Sequence, residues 1–208
     1  MLSCLARNHA CIILLNILLI KKRNHCIYMN KNILRLNGHM PEIGSDCFIA
    51  ESAIIIGEVR IGDRCSVWYN AVIRGDVGAI KIGNECNIQD GAILHATLEV
   101  SETILGDRVS IGHNAIIHGA IIEPDVLVGM GAIVMDNTTI ESNTIIAAGS
   151  IVLANQHLEG GYIYAGNPAK KVKKIDESGA GLYIKLTPQA YQEYSKWYIK
   201  EGYGQDLS

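Results

Sequence analysis

A branched aliphatic side chain returns every six residues through most of this chain. The period starts at Ile49, resumes after one step of nine residues and one of eleven, and continues after a five-residue step to Val152. All seventeen positions are Ile, Val or Leu. They are Ile49, Ile55, Ile61, Val67, Ile73, Ile82, Ile88, Leu94, Leu105, Ile111, Ile117, Ile122, Val128, Val134, Ile140, Ile146 and Val152.

A six-residue aliphatic period predicts an all-β fold, a parallel β-helix in which three hexads make one triangular coil. Seventeen hexads give five to six coils, with each aliphatic pointing into the prism. Glycine follows the aliphatic at several hexads, and we expect it to help the chain turn each corner. These glycines are Gly62, Gly83, Gly106, Gly112 and Gly129. An ordinary β-sandwich would instead show turn signals every 8–12 residues.

The period and its flanks divide the chain into three parts. We assign 38–168 to the β-helix, and 169–208 to a basic tail and a C-terminal helix that opens with Thr187 as N-cap and Pro188 at the first helical position. We interpret 1–28 as a misassigned start or an N-terminal extension. Its apolar run is too short to span a bilayer and precedes its basic cluster, so we expect no stable membrane insertion.

Charge and cysteine usage narrow the possible partners and the compartment. The net charge is −3 and the pI is about 6.1, so no basic field indicates nucleic acid or an anionic membrane. The six cysteines form no CxxC pair and are few for 208 residues, which favours a reducing cytoplasm over a disulfide scaffold.

Two steps that break the period predict loops that leave the prism. The nine-residue step contains 75–79, and the eleven-residue step contains 96–103. Insertions in solenoid proteins often lie on the functional face. We therefore expect the site near these two segments, where polar residues also gather.

Two histidines and one arginine follow the coil spacing. Arg74, His95 and His118 each directly follow the aliphatic of every third hexad, so they share one register on one face, about 4.8 Å apart. His113 belongs to another face. Two stacked imidazoles can chelate one metal ion, and His113 could complete the site from a second subunit. A cyclic trimer would give three equivalent sites. Isolated histidines are more often inert, and His9, His25, His39 and His157 are interpreted in that way.

Four segments resemble the gamma-class carbonic anhydrase-like proteins of the hexapeptide-repeat superfamily. They are WYNAVIRGD (68–76), NIQDGAILH (87–95), IGHNAIIHG (111–119) and GNPAK (166–170). The resemblance covers roughly 38–175. It implies a left-handed β-helix and a homotrimer with zinc at each subunit interface.

The same resemblance implies roles for individual residues. His95 and His118 are implied as metal ligands from one subunit and His113 as the ligand from its neighbour. Arg74 and Asp76 are implied as a pair across the interface. Gln89 matches a position that orients the metal-bound water or substrate, and Tyr191 is a weaker match to a tyrosine that lines the site.

The implied reaction is the reversible hydration of CO2 to bicarbonate by a metal-bound hydroxide. Three imidazoles and an open position suit zinc, cobalt or iron. The chain departs from the family pattern where acidic residues serve proton transfer. Val77, Gly78 and Leu98 stand at those places, although Glu99 or Glu102 could substitute, so metal binding is expected more firmly than fast turnover.

Two other functions stay open at this point. The same prism and closing GNPAK occur in hexapeptide acetyltransferases, where one histidine acts as general base and the donor is an acyl-coenzyme A. A non-catalytic scaffold that keeps a structural zinc is the other alternative.

Overall fold

Short parallel strands stack along one axis and form a triangular prism. The structure is a computed structural model that describes residues 32–176 and 179–206, so the predicted segment 1–28 lies outside the described residues. Most strands have only two or three residues, because each hexad is extended for two or three positions and then turns a corner. The chain passes from face 3 to face 1 and then to face 2 in every full coil.

Each face is a ladder of seven strands, and β4 (Ile54–Ile61) and β6 (Val72–Ile82) bend from face 1 into face 2. Face 1 also contains β1 (Ile33–Leu34), β8 (Ile93–His95), β11 (Ile116–His118), β14 (Ile133–Val134) and β17 (Ile151–Val152). Face 2 also contains β2 (Glu42–Ile43), β9 (Thr103–Leu105), β12 (Ile121–Ile122), β15 (Thr139–Ile140) and β18 (His157–Leu158). Face 3 consists of β3 (Phe48–Ile49), β5 (Ser66–Val67), β7 (Asn87–Ile88), β10 (Ser110–Ile111), β13 (Val126–Val128), β16 (Thr144–Ile146) and β19 (Tyr162–Ala165).

The prism has about seven coils, which is more than the five to six counted from the aliphatic period. The extra strands lie before Ile49 and after Val152. At the last coil the interior is filled by Leu158 and Tyr164 at 3% and 6% exposure. The period itself continues into these strands, because Ile43 is six residues before Ile49 and Leu158 is six after Val152. Only Tyr164 departs from an Ile, Val or Leu at the inward position, so the sequence count stopped too early.

The core contains all seventeen predicted aliphatic side chains. None of them is more than 5% exposed, and Ile55, Val67, Ile73 and Leu94 are completely buried. This confirms the predicted inward register. Burial of each such side chain contributes about 1.5–3 kcal/mol, so the repeated stacking supplies most of the stabilisation.

The glycines after the aliphatic residues do not act as we predicted. Left-handed backbone at the corners is adopted mainly by other residues, such as Asn114 with φ 56°. Gly83 instead lies under the backbone of the next coil, and a Cβ added there would come within 2.6 Å of the carbonyl carbon of Gly106. These glycines are needed because stacked coils approach closely, so the prediction of corner-turning was wrong for them.

The two insertions differ in form. Gly57 pairs with Gly75 and Val59 with Ile80, so 76–79 form an irregularity inside β6 rather than a loop outside the strands. In contrast, 96–102 lie between β8 and β9 and form a loop, as predicted.

The end of the chain packs on face 3. Strand β20 (Lys170–Lys174) is antiparallel to β19, helix α1 (Ala180–Lys200) contacts β5, β10 and β13, and β21 (Gln205–Asp206) is antiparallel to β3. The helix begins before Thr187, so Pro188 is inside it, contrary to our prediction. Burial of Ile184 and Pro188 offsets the cost of an interior proline, about 3 kcal/mol.

No helix in the two described ranges is long and apolar enough to cross a membrane.

Candidate metal centre

His95 and His118 lie side by side at the edge where face 1 turns into face 2. They end β8 and β11 and are directly paired in register, as the hexad spacing predicts. The His95 Nδ1 atom is 3.1 Å from the His118 Nε2 atom. Arg74 lies one coil before His95, because its neighbour Ile73 pairs with Leu94.

Each ring of this pair also contacts a carboxylate. His95 Nε2 is 3.0 Å from Asp76 Oδ1, whose other oxygen contacts the Arg74 guanidinium within the same chain. Burial works to raise the pKa of Asp76, but hydrogen bonds from Arg74 and His95 outweigh it and hold that pKa below its usual range. The pairing of Arg74 with Asp76 between subunits stays a prediction.

Asp136 is the carboxylate on the other side of the pair. Its Oδ2 is 3.1 Å from His118 Nδ1, and its Oδ1 accepts a hydrogen bond of 2.5 Å from the Ser101 hydroxyl. Burial works to raise the pKa of Asp136, but hydrogen bonds from Ser101, His118 and Thr97 lower it overall. Sequence reasoning missed Asp136 and Ser101. Register could have found Asp136. Ile117 pairs with Val134, so Asp136 lies one coil beyond Gly119, the residue that follows His118.

His113 lies at the opposite edge of face 1, where face 3 turns into it. Its Nδ1 is 2.9 Å from Asp90 Oδ2, and its Nε2 is 3.2 Å from the Tyr191 hydroxyl. The His113 backbone N–H donates to Gln89 Oε1 at 3.1 Å. Within one chain, Gln89 and Tyr191 are therefore grouped with His113 and not with the His95–His118 pair.

Tyr191 packs against an aromatic residue of the prism and also contacts His113. Its ring packs edge-on against Trp68 with the centroids 5.2 Å apart, and its hydroxyl reaches His113 from α1. Burial and the Asp90 carboxylate raise the pKa of Tyr191 to about 12, so the phenol is neutral at physiological pH. Gln89 is 5% exposed, and its Nε2 donates to Asn87 Oδ1 at 2.9 Å.

The three predicted histidine ligands do not meet within the described part of one chain. Among residues 32–176 and 179–206, no group of three or more His, Cys, Asp and Glu side chains is arranged to hold a metal ion. The His95–His118 pair supplies two nitrogens at one edge of face 1, and His113 supplies one at the other.

The 96–102 loop borders an open groove of about 740 Å³ beside the His95–His118 edge. Leu98 and Glu99 line the groove together with Val77 and Ile121. Glu102 lines it as well but forms an ion pair of 3.0 Å with Lys81. Glu99 lines the groove and forms no ion pair within the described residues.

Comparison with known proteins supports the fold and the family. The family model described as Bacterial transferase hexapeptide (six repeats) matches residues 40–75 and 119–154. A solved structure of a hexapeptide transferase family protein from Anaplasma phagocytophilum superposes with a TM-score of 0.78 at 36% identity, covering 82% of this chain and 99% of that one. The all-β parallel β-helix predicted from the period is confirmed, and so is the left-handed form that the resemblance implies.

Two curated relatives carry carbonic anhydrase names. Carbonic anhydrase of Geobacillus kaustophilus is 44% identical over 140 residues, which is 67% of this chain and 76% of that protein. Gamma carbonic anhydrase 2, mitochondrial, of Arabidopsis thaliana is 36% identical over 177 residues, which is 83% of this chain but only 63% of the plant protein. The chain belongs to the gamma carbonic anhydrase-like proteins of the hexapeptide-repeat family.

Proposed function

We propose that this protein is a carbonic anhydrase-like metalloenzyme that interconverts CO2 and bicarbonate at sites shared between the subunits of a homotrimer. Zinc is the proposed metal, with cobalt or iron as substitutes, held by His95 and His118 of one subunit and His113 of the partner subunit. The observation that carries the proposal is the His95–His118 pair with a carboxylate on each outer side.

A hydrogen count explains why a cation suits the gap between the two rings. Three contacts link Asp76, His95, His118 and Asp136 in a row, and each needs one hydrogen. Two neutral imidazoles carry only two hydrogens, one each. If these donate outward to the carboxylates, two lone pairs face each other across the central gap. A metal ion there satisfies both.

The width of the gap also fits. Two nitrogens bound to one tetrahedral zinc at about 2.0–2.1 Å are about 3.3 Å apart. The observed separation is 3.1 Å. The neutral, outward-donating imidazoles would leave the positive charge of the ion unreduced. When bound, such an ion supplies the Lewis acidity that makes water a nucleophile near neutral pH.

The outer surface of face 1 supports assembly of several copies. Branched aliphatics point outward at the same level in successive coils, and Ile54 and Ile93 are 38% and 39% exposed. This outward ladder is Ile54, Val72, Ile93, Ile116, Ile133 and Ile151. A continuous exposed apolar stripe is typical of an interface. His113 lies beyond one edge of this face and the His95–His118 pair ends the other, so an interface that joins unlike edges closes into a ring when successive subunits are related by the rotation of a cyclic trimer.

The remaining residues of the two groups would hold the ligands and the reactants. Gln89 would fix the His113 backbone and, with its second amide hydrogen, orient water or substrate. Tyr191 would release its contact with His113 Nε2 when that nitrogen binds the metal, and its neutral hydroxyl could then donate to bicarbonate. Glu99 is the proposed route for the proton. Because Val77, Gly78 and Leu98 are not acidic, we expect turnover slower than metal binding alone would allow.

Metal analysis of purified His113→Ala tests the shared site. We expect the wild-type protein to hold stoichiometric metal and His113→Ala to lose it. His157→Ala is the matched control, since His157 is an exposed histidine on the same prism that contacts only Glu141 among the described carboxylates. Full metal in His113→Ala would contradict the proposal. Stopped-flow CO2 hydration then separates an enzyme from a zinc-binding scaffold.

Subunit complementation tests the sharing more directly. His113→Ala chains and His95→Ala/His118→Ala chains are unfolded together in equal amounts and refolded. In random ring-shaped trimers, about a quarter of the interfaces combine an intact pair with an intact His113. We expect about a quarter of the wild-type metal in the mixture and none in either parent. No recovery in trimers of correct mass would mean that the site lies within one chain.

Acyl transfer from an acyl-coenzyme A is the second candidate function, because the family model and the Anaplasma phagocytophilum structure are described as transferases. This chemistry needs one histidine as base rather than three around one point. Turnover of acetyl-coenzyme A on a panel of small amines and sugars, retained in His113→Ala, would favour it. The predicted cytoplasmic location stays a prediction.

A further inference from the structure

We propose that Asp136 is a positioning residue that orients His118 toward the metal, and that Ser101 anchors the 96–102 loop to this ligand through Asp136. The inference rests on the proposed function and goes beyond it, because neither residue belongs to the ligand set. It assigns the 96–102 loop, which lies in the eleven-residue step, a role in holding the metal site.

Both ring nitrogens of His118 contact a neighbouring side chain. Asp136 Oδ2 is 3.1 Å from Nδ1, and His95 lies 3.1 Å from Nε2. A carboxylate can only accept a hydrogen bond when ionised, so it holds the hydrogen of His118 on Nδ1 and directs the Nε2 lone pair at the gap. Carboxylates in this place raise the basicity of a ligating histidine and fix its orientation.

The second oxygen of Asp136 is held from the loop. Ser101 Oγ donates to Oδ1 at 2.5 Å and accepts from the Thr97 backbone N–H at 3.0 Å. The loop thus closes on itself through Ser101 and is linked by one side chain to the ligand.

Other parts of the corner make room for this contact. Gly119 follows His118 with φ +65°, and a Cβ there would overlap Ser101 Oγ and Asp136 Oδ1. Its backbone N–H donates to Thr103 Oγ1 at 3.0 Å, and Thr103 donates in turn to the His95 carbonyl at 2.5 Å. Both ends of the loop are therefore bonded to the corner that carries the two ligands.

Asp76 does not duplicate this role for His95. Its carboxylate is shared between His95 and Arg74, both on face 1, and within the described residues it makes no hydrogen bond to the 96–102 loop. Asp136 is the carboxylate that connects a ligand on face 1 with the insertion. This is why we assign the coupling of the loop to Asp136 alone.

The first test measures zinc affinity by competition with a chromophoric chelator in the full-length protein. We expect Asp136→Ala to weaken zinc binding by about 10- to 100-fold. Asp136→Asn, which keeps an acceptor oxygen without the charge, should lie between Asp136→Ala and the wild type. Ser101→Ala should weaken binding less than Asp136→Ala, and Ser101→Thr, which keeps the hydroxyl, should restore it. The matched control is Glu141→Gln, which changes a carboxylate 2.6 Å from His157 outside the site.

The second test uses the metal-free protein, so it does not depend on the proposed function. Nitrogen-15 NMR of histidine-labelled protein reports whether His118 carries a slowly exchanging hydrogen on Nδ1. We expect this signal in the wild type and in Glu141→Gln, and its loss in Asp136→Ala. If the wild type binds no zinc, the proposed function fails, and this signal alone decides the positioning role.

Two results would overturn the inference. One is unchanged zinc affinity in Asp136→Ala and Ser101→Ala. The other is a wild-type His118 without a hydrogen on Nδ1. If Asp136→Ala does not fold by circular dichroism, the comparison of Ser101→Ala with Ser101→Thr carries the test, because both retain the carboxylate.

Discussion

Replacing Gly119 by alanine perturbs the packing directly beside His118. Gly119 has φ +65°, and a Cβ at this position would overlap Ser101 Oγ and Asp136 Oδ1. These two atoms are bonded to each other at 2.5 Å, so neither can move away without breaking that bond. Gly119→Ala therefore combines backbone strain with the loss of a charge-assisted hydrogen bond.

A matching substitution at a second glycine separates the cost of backbone strain from the cost of the lost hydrogen bond. Alanine in left-handed backbone costs about 1–2 kcal/mol. Loss of a hydrogen bond to a charged group costs a further ~1.5–3 kcal/mol. We therefore expect Gly119→Ala to lower the free energy of unfolding by about 2.5–5 kcal/mol. Gly131 has φ +66° and nothing within 4 Å of an added Cβ, so Gly131→Ala should show the backbone cost alone.

The assay is urea unfolding of metal-free protein, followed by far-ultraviolet circular dichroism. All variants are compared at one protein concentration, because subunit association contributes to apparent stability. Zinc affinity is then measured for both glycine variants, and only Gly119→Ala should bind more weakly. Equal losses of stability in the two variants would refute the reasoning, since the contact with Ser101 and Asp136 would then contribute nothing.

Two further predictions concern buried groups. The thiols of Cys47, Cys65 and Cys86 each donate to a glycine carbonyl in the next coil at 3.1 Å, and the adjoining Cys65 thiol together with burial raises the pKa of Cys47. We expect iodoacetamide to modify these three peptides only after unfolding in urea, and rapid labelling of folded protein would contradict this packing. The pKa of Tyr191 is raised from 10 to about 12, so its neutral form contributes stability below pH 10 that is lost as the pH rises toward 12. The loss of unfolding free energy over that range should be smaller in Tyr191→Phe, and an equal loss would show that Tyr191 does not contribute.

The prism could be predicted from the sequence because one structural rule repeats. Every coil places an aliphatic at the same inward position, so Ile49 and Val152 obey the same constraint although 103 residues separate them. The rule weakens where packing is no longer repeated. In the last coil Tyr164 takes an inward position, and α1 runs through Pro188 because its contact with face 3 outweighs the local signal.

The glycines show a different limit of sequence reasoning. Gly83 directly follows the inward Ile82, whereas Gly119 is two residues after the inward Ile117. Gly119 has left-handed backbone, whereas Gly83 is required because the backbone at Gly106 lies against it. The period separates the two positions, but it does not show why Gly83 is needed, because close approach between coils depends on the three-dimensional stacking.

For the candidate site, register was predictable and the partners of the ligands were not. His95 and His118 are one coil apart, and spacing alone placed them together. Ser101 reaches Asp136 from an insertion 35 residues away, and a loop that leaves the prism has no register from which to predict this contact. The same applies to Tyr191, which reaches His113 from a helix 78 residues away.

The five-residue spacing of His113 and His118 gives the strongest argument for a site between subunits. A full coil contains three hexads, one for each face with its corner, so a spacing of five residues is shorter than one hexad. It places His113 before β11 and His118 at its end, on opposite edges of face 1. On the proposed function, the two histidines of one chain therefore serve different metal ions. A ring that joins unlike edges uses both, whereas an isolated chain can use neither in a three-nitrogen site.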